Sequence, residues 1–405
     1  MRCSRALGPL AGCARPLLAL ALLVDGPGTA AAATGERPDS LASVERPFIP
    51  GGYDDKPHLR GLFGRFALGG YAEAHAVWER VDGVTEEAGF NLKRWNLLAS
   101  SRVGQHVQMW AEVEFEDGGS EIVLELAQLD FELRPAMNLR AGMLLVPIGR
   151  FNLAHDGPRN AFTDRPLLAT DLVGSALSMP GFGVFGRVPL GLDGRATYEL
   201  YGVNGYHDGL LLASPEGTRL PAGRGNVEDN NSSPAITTRL AWSPSERHEL
   251  GLSGFAGAYN RFRVEGVDVD DRRSVRIAAV DARTAGLGLE WNGELTVVSV
   301  DIPPGLVGLF ASRQAGGFVE AARAFAHGAL RTMPASYFSV GARLEGVDLD
   351  RDLAGDSRVQ VTTGAHFHPS PESVIKLDYR RGRSRDRFNN SSESAAVQLS
   401  LTSYF

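Results

Sequence analysis

The 405-residue chain carries 41 Lys and Arg against 48 Asp and Glu, a formal charge of −7, and two cysteines. Its positive charge is nearly all arginine, with lysine only at 56, 93 and 376, and no basic stripe runs along it, which excludes nucleic acid as a partner. Both cysteines, Cys3 and Cys13, precede residue 34, so beyond that point no disulfide, thiolate nucleophile or cysteine-bound metal is available and stability must come from backbone pairing or a large core.

Residues 1–33 have the three-part pattern of a secretory signal: Arg2, Arg5 and Arg15, then the apolar run 17–24, then the small residues Ala30 to Ala33. The run is too short for a membrane helix, which takes about 20 apolar residues. Leu10-Ala11-Gly12-Cys13 imitates a lipoprotein site, but the apolar run follows the cysteine instead of preceding it. Removing three arginines and Asp25 with the signal leaves 38 basic against 47 acidic side chains. Residues 34–65, with Pro38, Pro47, Pro50, Gly51, Gly52 and Pro57, read as an irregular periplasmic lead-in.

No later apolar stretch has helix-spanning length, so any membrane residence is through strands. In 107–116 the odd positions are Val, Met, Ala, Val and Phe, while Gln108, Glu112, Glu114 and Glu116 share the other face with Trp110. Ten alternating residues match a tilted crossing of the hydrocarbon. The period returns in 357–368, 374–381 and 394–405, where Ala395, Val397, Leu399, Leu401 and Phe405 share a face. Strands are expected near 66–79, 90–101, 106–116, 122–134, 138–146, 181–189, 195–204, 235–243, 249–259, 275–290, 294–302, 317–326, 335–345, 357–368, 374–381 and 394–405. This pattern predicts an all-β fold, a transmembrane antiparallel β-barrel over 66–405 of about sixteen strands, with short periplasmic turns and long outer loops. Among the tight turns, Trp291-Asn292-Gly293 gives the strongest hairpin signal, since Asn-Gly tolerates a type I′ geometry. Trp78, Tyr259, Trp242, Phe367 and Phe405 fall where interface aromatics belong.

Several segments resemble the phosphate-selective porin O and P family and the wider set of sixteen-stranded porins: Gly69-Gly70-Tyr71-Ala72-Glu73, Ala111 to Glu116, Tyr198 to Gly205, and Gly142 to Phe151 followed by Asp164-Arg165-Pro166-Leu167. Phe405 resembles the closing aromatic read by the barrel-assembly machinery, although Ser403 stands where that signal usually has an apolar residue. The resemblance implies an outer-membrane homotrimer among lipid and lipopolysaccharide, passing small hydrophilic solutes or ions, with anions among the candidates. It also implies that the third outer loop, 147–180, folds into the lumen as a constriction. There Arg150, Arg159 and Arg165 stand against Asp156, Asp164 and Asp171 beside His155, a formal charge of zero that gives no basis for phosphate preference. On the wall, Glu112, Glu114 and Glu116 are expected to oppose Arg358, Lys376 and Arg380, setting up a transverse field across the pore.

Signatures of hydrolases, zinc proteases and nucleotide-binding loops are missing from the sequence, so no enzyme and no cofactor is expected. His366 and His368 share a face without a third ligand, so no metal is expected there. Asp348, Asp350 and Asp352 open like a calcium loop, but Leu353 and Val359 replace its glycine and glutamate. Asn231 and Asn390, each followed by two serines, are expected in exposed loops. Two other readings stay open: a non-channel barrel such as an adhesin or barrel hydrolase, and a secreted soluble β-sandwich.

Overall fold

The computed structural model describes residues 47–405, apart from 58, 61–64, 192 and 213–215. The signal segment and the first part of the lead-in lie outside the described residues.

Alternation of apolar and polar side chains puts the two kinds on opposite faces of each strand, and a sheet with one oily face is satisfied in lipid only if it has no open edge. The sheet here closes. Its strands are β1 (Phe66–Val81), β2 (Val84–Val103), β3 (Val107–Glu116), β4 (Glu121–Arg134), β5 (Met137–Leu145), β6 (Ser178–Leu190), β7 (Gly194–Val203) and β8 (Ala235–Ser245). They continue as β9 (His248–Ala258), β10 (Ser274–Gly286), β11 (Leu289–Val300), β12 (Arg313–Phe325), β13 (Tyr337–Asp348), β14 (Ser357–Ser370), β15 (Ser373–Arg385) and β16 (Ser391–Tyr404). Each pairs antiparallel with its sequence neighbour, and β16 pairs with β1 from Ser394↔Val81 to Tyr404↔Tyr71, completing a sixteen-stranded barrel. Phe405 fastens the seam: its N–H donates to the Gly70 carbonyl, its own carbonyl accepts from the Gly70 N–H, and its ring stacks on Trp95. A Cβ at residue 70 would collide with that ring.

The outward face carries Leu240, Leu252, Leu295, Val297, Leu344, Val361, Leu377 and Leu401, all exposed, so an apolar band surrounds the barrel. Trp78, Trp242 and Phe405 are exposed on this face, as their positions in the sequence suggest. Tyr259 is not: it lies at the end of β9, is buried, and its hydroxyl donates to the Asp301 carbonyl. Asn231 is likewise buried, donating to the Ala258 carbonyl, so only Asn390 of the two Asn-Ser-Ser positions is exposed.

Two hairpins differ from the sequence reading. The β10–β11 turn is Leu287-Gly288, both at positive φ, and Gly286 faces Leu289. Trp291, Asn292 and Gly293 instead lie inside β11, where Asn292 extends its amide toward Glu320 and Gly293 sits between Ala282 and Val319. Inward hydrogen bonding and a two-residue turn outweigh the Asn-Gly preference. At the other end, β1 and β2 run on to the two-residue turn Asp82-Gly83, with φ of 49° and 83°, a type I′ signal within a stretch read as a loop. The connections at the β1–β2 end otherwise include long loops, the longest from 146 to 177 and from 204 to 234, whereas the opposite end has short turns apart from 326–336.

Candidate pore constriction

After β5 the chain turns inward. Ile148, Leu153, Leu167, Leu168, Leu172, Val173 and Leu177 of this loop are buried, packed into one cluster with Leu126, Leu144, Phe185, Val298 and Val347 of the wall and Tyr206, Leu210 and Leu220 of the loop after β7. The apolar stripe of the loop thus finds its core inside the barrel, and part of the lumen that alternation alone would fill with water is filled with side chains.

The loop backbone has no sheet to pair with, and the wall supplies its partners. Glu294 accepts from Phe151 N–H at 3.2 Å, Asp378 from Thr163 N–H at 2.7 Å and Glu345 from Leu167 N–H at 2.6 Å. Carbonyls are met by cations: Lys376 donates to Gly157 and Phe162, and Arg343 donates twice to Asp164 at 3.0 Å. Charge-assisted bonds of this kind are the strong ones. Gly149 is required at the loop entrance, because its φ is +69° and a Cβ there would overlap the Glu294 carboxylate. Gly149→Ala is expected to destabilise the folded loop by about 1–3 kcal/mol. The check is faster limited proteolysis within 146–177, with the barrel still resisting heat in detergent gels.

The structure brings the candidate residues together, but in pairs. Glu112 meets Lys56 at 2.6 Å, and Lys56 also meets Asp156 at 2.9 Å. Glu114 lies 3.4 Å from Arg94 and 3.6 Å from Arg165, and Glu116 lies 3.0 Å from Arg94. Arg380 binds Asp164 and Glu79, both at 2.6 Å, and Arg358 binds Asp171 at 2.6 Å. Five of the six wall charges therefore have an opposite charge within 4 Å, and Lys376 is spent on carbonyls. Pairing at this range removes the bare opposed ladders on which the transverse field rests. His155 is buried, 2.9 Å from the Asn152 carbonyl and 3.4 Å from Glu125; burial, then the Arg165 charge, lowers its pKa to about 4, so it is neutral at pH 7.

The lead-in departs from the sequence reading most. Residues 47–57, expected in the periplasm, pack inside the barrel. Phe48, Ile49 and Tyr53 are buried, Phe48 edge-on to Phe185 and Tyr53 edge-on to Trp110. Arg140, already paired with Asp130 at 2.7 Å, donates to the Tyr53 hydroxyl. Arg159 grips Asp55 at 3.1 Å and its carbonyl at 2.6 Å, and Arg150 donates to the Pro50 carbonyl at 2.5 Å. Two apolar rings and an Ile in an otherwise polar segment bury more favourably here than in water.

Asp54 accepts from the N–H groups of Phe48 and Ile49 and folds this segment into a turn. Burial raises its pKa from 3.8 to about 6, against the opposing pull of those N–H groups. A raised carboxyl pKa means that docking binds protons, so the docked lead-in gains stability as pH falls through 6 and the gain is complete below 3.8. By linkage the docking equilibrium tightens about tenfold between pH 7 and pH 5. Limited proteolysis within 47–57 is expected to become correspondingly slower over that range, and Asp54→Asn is expected to flatten the dependence.

Between the loop and the wall a recess of about 50 Å³ remains. Arg150, Phe151, Arg159 and Asn160 line it from the loop, and Asn292, Glu294, Phe318, Glu320 and Arg343 from β11 to β13. Sequence reasoning named the two loop arginines but missed Glu294, Glu320, Arg343 and Lys56. The first three stand in the polar phase of their strands and were legible by the same alternation that singled out 107–116; Lys56, in an irregular segment, had no periodic signal. Elsewhere, His366 is taken up by Asp378 at 2.9 Å, His368 stacks on Tyr337, and Asp352 binds Arg313 at 2.7 Å. Among the described residues no group of three His, Cys, Asp or Glu is placed to hold a metal.

No protein-family model matches the chain. An uncharacterised protein of Aquifex aeolicus is 25% identical over 360 residues, covering 82% of this chain and 79% of that protein. Among solved structures, the outer membrane channel DcaP of Acinetobacter baumannii is similar with a TM-score of 0.53 at 14% identity, over 84% of this chain and 97% of that one. The OmpF of Salmonella typhi, solved with daunomycin, gives 0.54 at 12%, covering 84% and 97%; an anion-selective porin from Comamonas acidovorans gives 0.54 at 11%, covering 84% and 99%. The chain thus has the closed antiparallel barrel fold of outer-membrane porins.

Proposed function

We propose that this protein is an outer-membrane porin, exported by its N-terminal signal, that passes small hydrophilic solutes or ions by diffusion through a lumen narrowed by loop 146–177 and by the lead-in. The observation that carries the reading is the in-lumen loop held by wall carboxylates and cations, Glu294, Asp378, Glu345, Lys376 and Arg343, inside a barrel whose outer face is apolar. Such a loop has a use in a channel, where it sets the width of the aqueous route. The likeness of the barrel to porin barrels supports homotrimeric assembly as part of this reading, and the terminal Phe405 supports delivery by the barrel-assembly machinery. Three arginines and two glutamates line the recess, and the arginines are engaged, so selectivity is weak and phosphate preference is not part of the proposal.

In planar bilayers the purified chain is expected to give ohmic steps of small conductance, with a reversal potential near zero in a salt gradient. Insertion without any conductance would favour the non-channel barrel, to which the tightly packed lumen otherwise lends itself.

A further inference from the structure

On the outer wall, at the end bearing the long loops, β15 places Arg381, Arg383 and Arg385 at every second residue, all exposed. The two-residue period sets them on the face that carries Ile375, Leu377 and Tyr379 further down the same strand. Tyr379 is level with Val397 and, one strand on, with Trp78, and both rings are exposed. One step nearer the loops, Arg381 is level with Ala395 and Arg80. Up the wall the order is therefore an aliphatic band, a level of amphipathic rings, then cations, which is the order of hydrocarbon, interface and headgroup.

These arginines are poorly supplied with protein anions. Arg381 shares Glu393 at 3.3 Å, with both side chains about two-thirds exposed at 67% and 64%. Arg80 donates to the Gly83 carbonyl. Arg383 and Arg385 have no partner among the described residues, although Glu393 is the cross-strand neighbour of Arg383. Guanidinium groups on a lipid-facing wall, above the ring level, are stabilised by bidentate contact with phosphate oxygens.

We propose that the outward ladder of Arg381, Arg383 and Arg385, with Arg80 beside it, binds the phosphate groups of anionic lipid headgroups in the leaflet at the loop end. The site fixes the depth and rotation of the barrel in that leaflet. This rests on the barrel lying in a bilayer, as proposed above.

Trp78 is a built-in reporter for the test, because it sits at the ring level two strands from the ladder. The full chain is reconstituted in phosphatidylcholine vesicles containing either brominated phosphatidylglycerol or brominated phosphatidylcholine, and the quenching absent from Trp78→Phe is assigned to Trp78. Brominated phosphatidylglycerol is expected to associate about fivefold more strongly. The variant Arg381→Gln/Arg383→Gln/Arg385→Gln is expected to lose the preference, and the Arg383→Lys/Arg385→Lys variant to keep most of it; unaltered heat-modifiable gel mobility confirms that both fold. Equal quenching by the two lipids in the unaltered chain, or a preference that survives the triple substitution, would overturn the proposal. So would loss of the preference in millimolar inorganic phosphate but not in chloride of equal ionic strength, which would assign the arginines to free phosphate. Absence of quenching by either lipid would instead overturn the bilayer reading itself.

Discussion

Replacing residues 47–57 by a glycine and serine segment of equal length is expected to raise single-channel conductance severalfold while leaving the barrel folded. The segment buries Phe48, Ile49 and Tyr53 inside the wall, and none of its residues belongs to a barrel strand. Without it, Arg140 loses the Tyr53 hydroxyl, Arg159 loses Asp55 and Arg150 loses the Pro50 carbonyl. Water takes those places. Two carboxylates, Asp54 and Asp55, leave the lumen together with the single cation Lys56, so the widened route is also expected to shift its reversal potential toward anions. An unchanged conductance would mean that the segment lies outside the conducting route. Loss of heat-modifiable mobility would mean that the barrel needs the segment to fold.

Lys56→Met is expected to be among the most destabilising single substitutions. Lys56 is buried with Glu112 and Asp156, and Asp156 also accepts from the Tyr404 hydroxyl at 2.7 Å on the closing strand. Burial alone would drive the Lys56 pKa down, but the charges of Asp156 and Glu112 outweigh it and hold the ammonium protonated. For Asp156, burial pushes up and Lys56, His155 and Tyr404 pull down, with a net lowering. Methionine fills the volume and keeps water out, leaving two carboxylates facing each other without a counter-charge, at a cost of about 3–5 kcal/mol. The readout is the temperature at which gel mobility changes in detergent. Adding Glu112→Gln and Asp156→Asn is expected to recover most of the loss, because the penalty comes from the bare charges and not from the missing lysine. A Lys56→Met protein as heat-resistant as the parent would show that the triad is not formed.

What the sequence made legible was whatever has period two. Every one of the sixteen expected strands has its counterpart, since Val107 to Glu116 and Ala395 to Phe405 write inside and outside directly into alternate residues. Turn positions were less secure: Asn292-Gly293 is a strong local signal that lost to inward hydrogen bonding and to the shorter Leu287-Gly288 turn. The charged residues of 147–180 were found, but their partners were not, because pairing depends on which strand lies across the ring and no local pattern records that. Arg94, Arg140 and Arg343 gave no reason in isolation to expect that each would neutralise a carboxylate. The lead-in was the largest miss. Proline and glycine announced irregular backbone, whereas Phe48, Ile49 and Tyr53, three apolar side chains in a short polar stretch, were the sign that it needed a core to enter.

Alternate residues face lipid and lumen around a closed ring, an arrangement that spin labels placed along one strand can report residue by residue. With Cys3 and Cys13 changed to Ser, single substitutions Leu295→Cys, Thr296→Cys, Val297→Cys and Val298→Cys on β11 are labelled and reconstituted in vesicles. Leu295 and Val297 are more than half exposed, whereas Thr296 and Val298 are buried inside. Labels at 295 and 297 are expected to be accessible to oxygen dissolved in lipid and shielded from a water-soluble nickel complex, with labels at 296 and 298 shielded from lipid oxygen. Accessibility without that alternation, or nickel access at 295 and 297, would contradict the barrel.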